Sequence, residues 1–258
     1  MTKRLKIIMN SLEAYKNIIE ALNYLRHDSP ESEQLIDFLY TPDPHLSDWL
    51  NELKKFLEIE NPTTTERQEA GYLLEKILAI SFKGLVGYSE IKSYRSASHQ
   101  LDFLISGDGS DWNIICDRIY IKDQGCRGIV VEAKAIGSSV SSAQFSRLCS
   151  IMNLELCNTV GLGMFFTIEG AAGFPKRDGR RVVGVRDARL CQLLFHAKTG
   201  KKIIVLDKDD IFELNKNGAL IRIMIRKVKE LEQSSGLSTM SVEKLVDIDL
   251  PTHLREVM

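Results

Sequence analysis

Hydrophobic positions recur along this chain at two spacings, and the change of spacing separates helical from extended stretches. From Arg4 to about Arg26 the apolar residues return every three or four positions, which is the period of an amphipathic helix. Similar spacing predicts helices near residues 31–40 and 44–57, and Asn61-Pro62 interrupts the pattern. We therefore expect an N-terminal helical module over residues 1–62.

The chain after residue 62 alternates between the two spacings. Short β-branched and aromatic runs predict strands at residues 86–94, 99–105, 112–121, 128–134, 160–167 and 202–206. Helical spacing predicts helices at residues 65–82, 141–156, 187–199 and 219–232. A strand, a helix and a second strand over residues 128–167 indicate a right-handed crossover, so those two strands should run parallel. We expect an α/β core with a mixed central sheet over residues 63–233, and a C-terminal tail or helix over 234–258.

Two charged residues end the apolar strand that begins at Gly128. Side chains alternate across a strand, so Glu132 and Lys134 point to the same face, about 6.6 Å apart along it. Charges at the end of a buried strand are costly to desolvate unless they are paired or hold a metal ion. This pair is therefore either an ion pair at an exposed strand end or part of a functional site.

Two aspartates lie on segments that could pack beside the Glu132 strand. Asp102 lies on a strand with apolar neighbours. Asp117 lies on the segment predicted as the strand before Glu132, and a hairpin between those strands would place it nearly opposite Glu132. We favour Asp102 and keep Asp117 as the alternative. Glu75 borders the apolar stripe of the predicted helix 65–82, which is compatible with a structural role or with a place at the same site.

The charge of the chain is unevenly distributed. The net charge of −1 over 258 residues argues against an overall electrostatic clamp on DNA. The segment Gly173–Arg189 nevertheless holds six basic residues against two acidic ones, in a loop-like context that contains glycine. It is either a solvated surface loop or a phosphate-binding loop, in which Lys176, Arg177, Arg180 and Arg181 would contact nucleic acid.

Composition excludes several classes of protein. Apolar residues make up 44% of the chain, as in ordinary globular proteins, and no apolar run approaches the length needed to span a bilayer. The first residues lack the apolar core of a signal peptide, so we expect a cytoplasmic protein. The five cysteines are widely spaced and form no zinc-binding pattern, so we expect reduced cysteines.

The order of these features resembles the restriction-endonuclease-like superfamily, the PD-(D/E)xK nucleases. The core of that family is a helix, a three-stranded meander that carries an aspartate and a Glu-x-Lys signature, a crossover helix and a fourth strand. Over about Thr65–Leu206, Gln100-Leu-Asp102 is similar to the aspartate motif and Glu132-Ala-Lys134 to the signature. Mrr-like restriction enzymes are the nearest branch. Leu101 stands where the family name places proline, and the interval from Asp102 to Glu132 is longer than the family pattern.

The resemblance implies a metal site and a reaction. Asp102 and Glu132 would supply carboxylates and Ala133 its carbonyl oxygen to Mg²⁺, for which Mn²⁺ can substitute, since Mg²⁺ prefers oxygen ligands and keeps several waters. Lys134 would orient or deprotonate the attacking water and offset developing charge.

Two further residues are similar to family positions. Glu75 corresponds to the helix acid of such nucleases and would hold a second ion or a metal-bound water. Gln144 corresponds to the glutamine that some branches carry on the crossover helix, and would orient Lys134 or a water.

We therefore expect a metal-dependent endonuclease that acts on DNA rather than RNA, in restriction or defence against foreign DNA. The alternative is a nuclease-fold module without activity that serves as a scaffold for nucleic acid or protein. A third reading makes the acidic N-terminal helices the functional part, as a docking module or as the site of association with a second copy or a partner protein, because short helices bury little apolar area alone.

Overall fold

The computed structural model describes residues 30–95, 100–121, 125–134, 137, 139–176, 179–182 and 187–234. Three sequence-based predictions lie outside these residues. They are the helix from Arg4 to Arg26, the role of Arg177, and the tail or helix after residue 234.

A five-stranded mixed sheet forms the centre of the fold, with its strands in the order of the chain. The strands are β1 Tyr88–Arg95, β2 Gln100–Gly107, β3 Gly128–Lys134, β4 Val160–Thr167 and β5 Lys202–Leu206. β1, β2 and β3 form an antiparallel meander, whereas β3, β4 and β5 run parallel. The crossover predicted between β3 and β4 is confirmed, and the observed architecture is an α/β sheet flanked by helices.

The helices occupy the connections and both faces of this sheet. In chain order they are α1 Pro30–Leu39, α2 Leu46–Leu57, α3 Thr64–Lys83, α4 Gly109–Arg118, α5 Ser142–Ser150, α6 Ala188–Thr199, α7 Lys208–Ile211 and α8 Ala219–Ser234. α5 continues into one wider turn of π-helix, Ile151–Glu155, before the chain enters β4.

Alternation of side chains along the strands divides the core into two layers. Val131 contributes to the layer that contains α3 and α8, with Leu74 and Met224 among its buried members. Val130, its neighbour in β3, contributes to the opposite layer with Phe145 of α5. β3 is therefore buried on both faces, which explains why its sequence is continuously apolar rather than alternating.

The segment predicted as a strand at residues 112–121 is instead helix α4. Its buried residues, Trp112, Ile115, Cys116 and Ile119, are spaced at three and four positions, so one face of a helix buries all of them. The Trp112 indole donates to the carbonyl oxygen of Arg127 at 3.1 Å, which fixes α4 beside the start of β3. The β-branched and aromatic composition that suggested a strand here was misleading, because packing on one face decided the structure.

The described helices of the N-terminal region pack on the sheet domain. Leu46, Leu50 and Leu53 of α2 belong to the same buried cluster as α3. The Tyr40 hydroxyl donates to the carbonyl oxygen of Leu214 at 2.8 Å. Arg222 of α8 pairs with Glu33 at 2.8 Å and Asp37 at 2.7 Å, both on α1. Residues 30–57 therefore dock on the core.

The composition predicted reduced cysteines and no membrane-spanning segment, and the described residues bear on both predictions. All five cysteines lie among them and are free thiols. None of the helices in the described ranges is both long enough and apolar enough to cross a membrane.

Candidate active site

Glu132 lies at the C-terminal end of β3, where the strand leaves the core. Its side chain is only 2% exposed, and Lys134 Nζ lies 2.5 Å from its Oε1. The contact follows from the strand period, because residues two apart share a face. The apolar run Ile129–Val131 anchors the strand in both layers, so the two charges are held at the boundary of the core.

Asp102 joins this pair through the end of the β2–β3 ladder. The last paired residues are Phe103 and Val131, and beyond them the Ala133 N–H donates to Asp102 Oδ2 at 2.6 Å. In a longer ladder this N–H would donate to a backbone carbonyl of β2. Here it donates to the Asp102 carboxylate instead. Because the N–H and C=O of one strand residue face the same neighbour, the Ala133 carbonyl also faces β2.

Asp117, the alternative to Asp102, lies elsewhere. It is on α4, its side chain is 63% exposed, and its Oδ1 pairs with Arg127 at 3.0 Å. The hairpin that would have placed it opposite Glu132 does not form, since that segment is helical. Geometry therefore brings Asp102, and not Asp117, to Glu132.

Arg147 is the residue that sequence reasoning missed. It reaches from α5 to Glu132 Oε1, so one carboxylate oxygen receives both Arg147 and Lys134. Phe145 and Leu148 are buried against the sheet and set the rotation of the helix. Arg147 follows Gln144 by three positions and so shares its helical face, which is the signal that could have identified it.

The two oxygens of Glu132 differ in their surroundings. Oε2 is buried and has no hydrogen-bond partner among the described residues, and neither does the buried Arg147 Nε. An unpartnered buried carboxylate oxygen is costly, so it marks a place where a further group can bind. Thr167, which pairs with Lys134 across β3 and β4, has a buried hydroxyl that is likewise unpartnered in this part of the chain.

Two carboxyl groups of the site, those of Asp102 and Glu75, have raised pKa values. Burial raises the pKa of Asp102 and the charge of Glu132 raises it further, while the Ala133 hydrogen bond, Lys134 and Arg147 oppose these effects. Glu75, half-buried on α3, also has a raised pKa, because of burial and the charge of Asp102. The sheet and α3 therefore place Asp102 and Glu75 close enough to interact, in surroundings where burial disfavours their charged forms.

Gln144 is engaged at the start of α5. Its Oε1 accepts from the Ser141 backbone N–H at 2.8 Å, and the Ser141 side chain accepts from the Gln144 N–H, which together form a capping box. The capping interaction uses the amide oxygen. A role for Gln144 in orienting Lys134 or a water stays a prediction.

Three of the four predicted phosphate-binding residues, Lys176, Arg180 and Arg181, lie on a hairpin beside the segment that follows β3. Pro175 pairs with Arg181, and the Lys176 N–H donates to the Arg180 carbonyl at 2.7 Å. We call Phe174–Val182 the basic hairpin, of which residues 177–178 are outside the described ranges. Together with the segment that follows β3 it borders a cavity of about 440 Å³, the basic groove, lined by Gly137, Ser139, Glu169, Lys176, Arg180, Arg181 and Val182.

The donor set can be tested against a metal ion. Across the described residues no three His, Cys, Asp or Glu side chains form a group that could hold one. Two carboxylates and a carbonyl oxygen nevertheless fit Mg²⁺, which binds few protein ligands and retains waters. The unpartnered Glu132 Oε2, beside Asp102, is the observation that supports this fit.

Among solved structures, this chain is similar to that of the restriction endonuclease FokI, with 12% sequence identity and a TM-score of 0.38. The similarity covers 79% of this chain and 33% of the FokI chain, so this chain spans about a third of FokI's length. No protein-family model matches this chain, and no curated protein sequence does.

Proposed function

We propose that this protein is a metal-dependent endonuclease that hydrolyses phosphodiester bonds, with DNA as substrate, in restriction or defence against foreign DNA. The observation that carries the proposal is the convergence of Asp102, Glu132 and Lys134 at one end of the sheet, with Glu132 Oε2 buried and unpartnered among the described residues. This is the arrangement that the resemblance to PD-(D/E)xK nucleases, with Mrr-like enzymes as the nearest branch, implies for a catalytic site.

Asp102, Glu132 and the Ala133 carbonyl would hold Mg²⁺ or Mn²⁺. Bound there, the ion would acidify a water and offset negative charge on the phosphate. Asp102 lies near enough to Glu75 for its charge to contribute to the raised pKa of Glu75, which suits the predicted role of Glu75 in holding a second ion or an ordered water.

Lys134 would act on the attacking water and the phosphate, and Arg147 on the Glu132 carboxylate. Lys134 would use its ammonium N–H groups to orient the attacking water and stabilise the charge that develops in the transition state. Arg147 would hold the Glu132 carboxylate in place from α5. Such preorganised donors contribute because they need no rearrangement at the moment of reaction.

The basic groove would hold the nucleic acid backbone. Lys176, Arg180 and Arg181 line it, and Gly137, which also lines it, follows Lys134 by three residues. A nucleic acid backbone bound in the groove would thus have only a short distance to cover to reach Lys134. Positive side chains near a cleft attract a polyanion whatever its sequence, so the groove supports nucleic-acid binding rather than base recognition.

The decisive experiment is incubation of the purified full chain with plasmid, linear and single-stranded DNA and RNA, each with Mg²⁺, Mn²⁺ or EDTA. We expect nicking or cleavage of DNA with either ion and none with EDTA. Lys134→Ala should abolish it, whereas Lys198→Ala, an exposed lysine on α6, should not. Cleavage that persists in EDTA or in Lys134→Ala would contradict the proposed mechanism.

A second candidate is a nuclease-fold scaffold without activity. One observation favours it, namely that Lys134 and Arg147 both occupy Glu132 Oε1, so the charge a metal ion would need is already paired. A scaffold would bind DNA equally with EDTA and with Mn²⁺, and calorimetry would find no Mn²⁺ site. An Mn²⁺ site that disappears in Glu132→Gln would exclude this candidate.

A further inference from the structure

A second cavity of about 440 Å³ lies at the C-terminal ends of β4 and β5, beside the basic groove. We call it the strand-end pocket. Its lining includes Ile168, Phe174, Arg189, Gln192, Ile204 and Leu231, and it does not include Asp102, Glu132 or Lys134. The volume lies within the range of small-molecule sites, which in open parallel sheets form at the carboxyl ends of the strands.

The walls of the strand-end pocket offer a planar cation that is held in place by an aromatic ring and a hydroxyl group. The guanidinium carbon of Arg189 lies 5.1 Å from the centroid of the Phe174 ring. Arg189 is held in turn by Ser234, whose Oγ accepts from its Nη2 at 2.7 Å. The Phe174 ring is buried and also stacks with Phe145, with 5.6 Å between the ring centroids. The surface left for a planar heterocycle is therefore the guanidinium of Arg189, on which such rings stack.

The same walls offer hydrogen-bond acceptors. Gln192 is only 3% exposed, and its Nε2 donates to the Ile203 carbonyl, which fixes the amide with Oε1 as an acceptor. That Oε1 has no partner among the described residues. Carboxylates also line the pocket, from Glu169, Asp209 and Glu230. Lys208 and Lys227 line the pocket as well. The complementary ligand is therefore flat, largely apolar on its faces, and carries N–H donors together with acceptors at its edge.

The strand-end pocket and the basic groove share a wall. Glu169, Lys176 and Val182 line both cavities, so a ligand in one is adjacent to a ligand in the other. The groove side carries Arg180 and Arg181 and suits a phosphate. A molecule with a planar, donor-bearing ring at one end and a phosphate at the other would fill both cavities, and a nucleotide has this construction.

We propose that the strand-end pocket binds the base of a nucleotide whose phosphate lies in the basic groove, and that this nucleotide belongs to the nucleic acid substrate. The assignment to the substrate rests on the proposed nuclease function. A base reaches such a pocket only after it leaves the helical stack, which costs least in single-stranded, mismatched or damaged DNA. The pocket would thus favour a substrate with an unstacked base near the cleavage site.

The first test measures binding by calorimetry, with the full chain in EDTA so that no cleavage occurs. The ligands are the four deoxynucleoside 5′-monophosphates, 2-deoxyribose 5-phosphate and inorganic phosphate. We expect at least one nucleotide to bind tenfold or more tightly than deoxyribose 5-phosphate, because the base supplies the pocket contacts. Equal affinity for nucleotide and sugar phosphate, or no binding of any nucleotide, would overturn the proposal.

Paired variants on α6 locate the site. Arg189→Gln should weaken nucleotide binding at least tenfold, while Lys198→Gln, on the same helix but outside the pocket, should leave it unchanged. Thermal melting shows whether each variant is folded. Photolabelling of the unaltered protein with 8-azido-2′-deoxyadenosine 5′-monophosphate gives a result independent of the variants. Label within residues 168–182, 187–192, 204–209 or 227–231 supports the pocket, and label confined to other segments contradicts it.

Competition between a DNA strand and a bound monophosphate shows whether the pocket takes a nucleotide of the substrate or a free nucleotide. A short single strand should displace the bound monophosphate, and the same strand with abasic sites should displace it less well. If no strand competes, the pocket serves a free nucleotide and its assignment to the substrate is wrong. The binding assays contain EDTA and so do not depend on cleavage. If the protein binds nucleotides but does not cleave DNA with Mg²⁺ or Mn²⁺, the nuclease proposal is refuted and the pocket is not.

Discussion

The Glu132 carboxyl contacts two cations of the candidate site. One oxygen receives Lys134 and Arg147, and the other has no partner in the described part of the chain. Removing one member of a buried charge network leaves an uncompensated charge, and this costs more than the network as a whole contributes. Variants of these residues therefore require a stability measurement beside the activity assay.

The two aspartates provide a matched pair of variants. We expect Asp102→Asn to lower DNA cleavage by more than about 100-fold, because a neutral amide is a poor ligand for a divalent cation. Asp117→Asn should leave the rate within about twofold, since Asp117 is exposed on α4 and pairs only with Arg127 among the contacts described. Initial rates on supercoiled plasmid and Mn²⁺ calorimetry provide the measurements.

The assignment of Asp102 fails if Asp102→Asn cleaves at the normal rate and Asp117→Asn does not. Glu132→Gln should behave like Asp102→Asn and should also lose Mn²⁺ binding. Lys134→Ala should lose cleavage but keep the ion, because its role is to stabilise charge rather than to ligate the metal.

Asp102 also has a predicted effect on stability as pH changes. Burial raises its pKa in the folded protein, so the folded state holds a proton that the unfolded state releases more easily. Stability from this group is complete below the ordinary pKa of aspartate and is lost as pH rises through the raised value. In EDTA, Asp102→Asn should match the unaltered protein at acidic pH and become relatively more stable towards neutral pH. Urea unfolding at several pH values checks this, and a neutral-pH loss of stability in the variant would contradict it.

At the scale of elements, α5 is the crossover helix that carries Arg147 to the candidate site. Its N-terminus is closed by Ser141 and Gln144, its inner face is anchored by Phe145 and Leu148, and its next turn carries Arg147. If the first turn of α5 frayed, the position of Arg147 relative to Glu132 would be less well fixed. The capping box thus affects the site indirectly, whether or not Gln144 contacts substrate.

We expect Ser141→Ala and Gln144→Ala to lower the free energy of unfolding by similar amounts, about 1 kcal/mol each, because each removes one half of the capping box. Gln144→Glu should preserve stability, since glutamate also serves at this position. Cleavage should fall in parallel in the two alanine variants. If Gln144→Ala loses far more activity than Ser141→Ala at equal stability, then Gln144 acts directly at the site.

At the scale of the whole molecule, the described helices before residue 62 are part of the core. Leu46 and Leu53 are fully buried, and α1 is tied to α8 through Arg222. Apolar surface on α3 and α8 would be exposed without them. Association of the N-terminal region with a second copy or a partner protein stays a prediction, and residues 1–29, which would contribute to it, are outside the described ranges.

Leu53→Ala tests the docking of α2. It should lower the free energy of unfolding by about 2–5 kcal/mol, because truncation of a buried leucine removes apolar contacts and leaves a cavity. Leu194→Ala is the control, as Leu194 is 62% exposed on α6, and its effect should be within about 0.5 kcal/mol. Chemical denaturation gives both values, and equal effects would indicate that α2 is not part of the cooperative core.

Charge on the basic hairpin should control the salt dependence of DNA binding. Neutralising Lys176, Arg177, Arg180 and Arg181 together should flatten the plot of log affinity against log salt by about 0.9 for each phosphate that the protein no longer neutralises. Neutralising four exposed lysines elsewhere, Lys54, Lys55, Lys83 and Lys198, should leave the slope nearly unchanged. An unchanged slope in the hairpin variant would exclude these residues from phosphate binding.

The sequence alone was sufficient wherever structure depends on local periodicity. β4 and β5 begin and end where their apolar runs do, and the order of β3, α5 and β4 determined a parallel crossover. The shared face of Glu132 and Lys134 follows from a strand period of two, which no tertiary contact can alter while the segment remains a strand.

Tertiary structure decided what periodicity leaves open. The segment that contains Trp112 has apolar residues compatible with a strand or a helix, and only its packing beside β3 selected the helix. That choice removed Asp117 from the site. The pairing of Asp102 with the Ala133 N–H depends on where the β2–β3 ladder ends, and the contact of Arg147 with Glu132 depends on how α5 rotates on the sheet. These contacts join residues on different elements of the fold, so they form only when those elements have packed together.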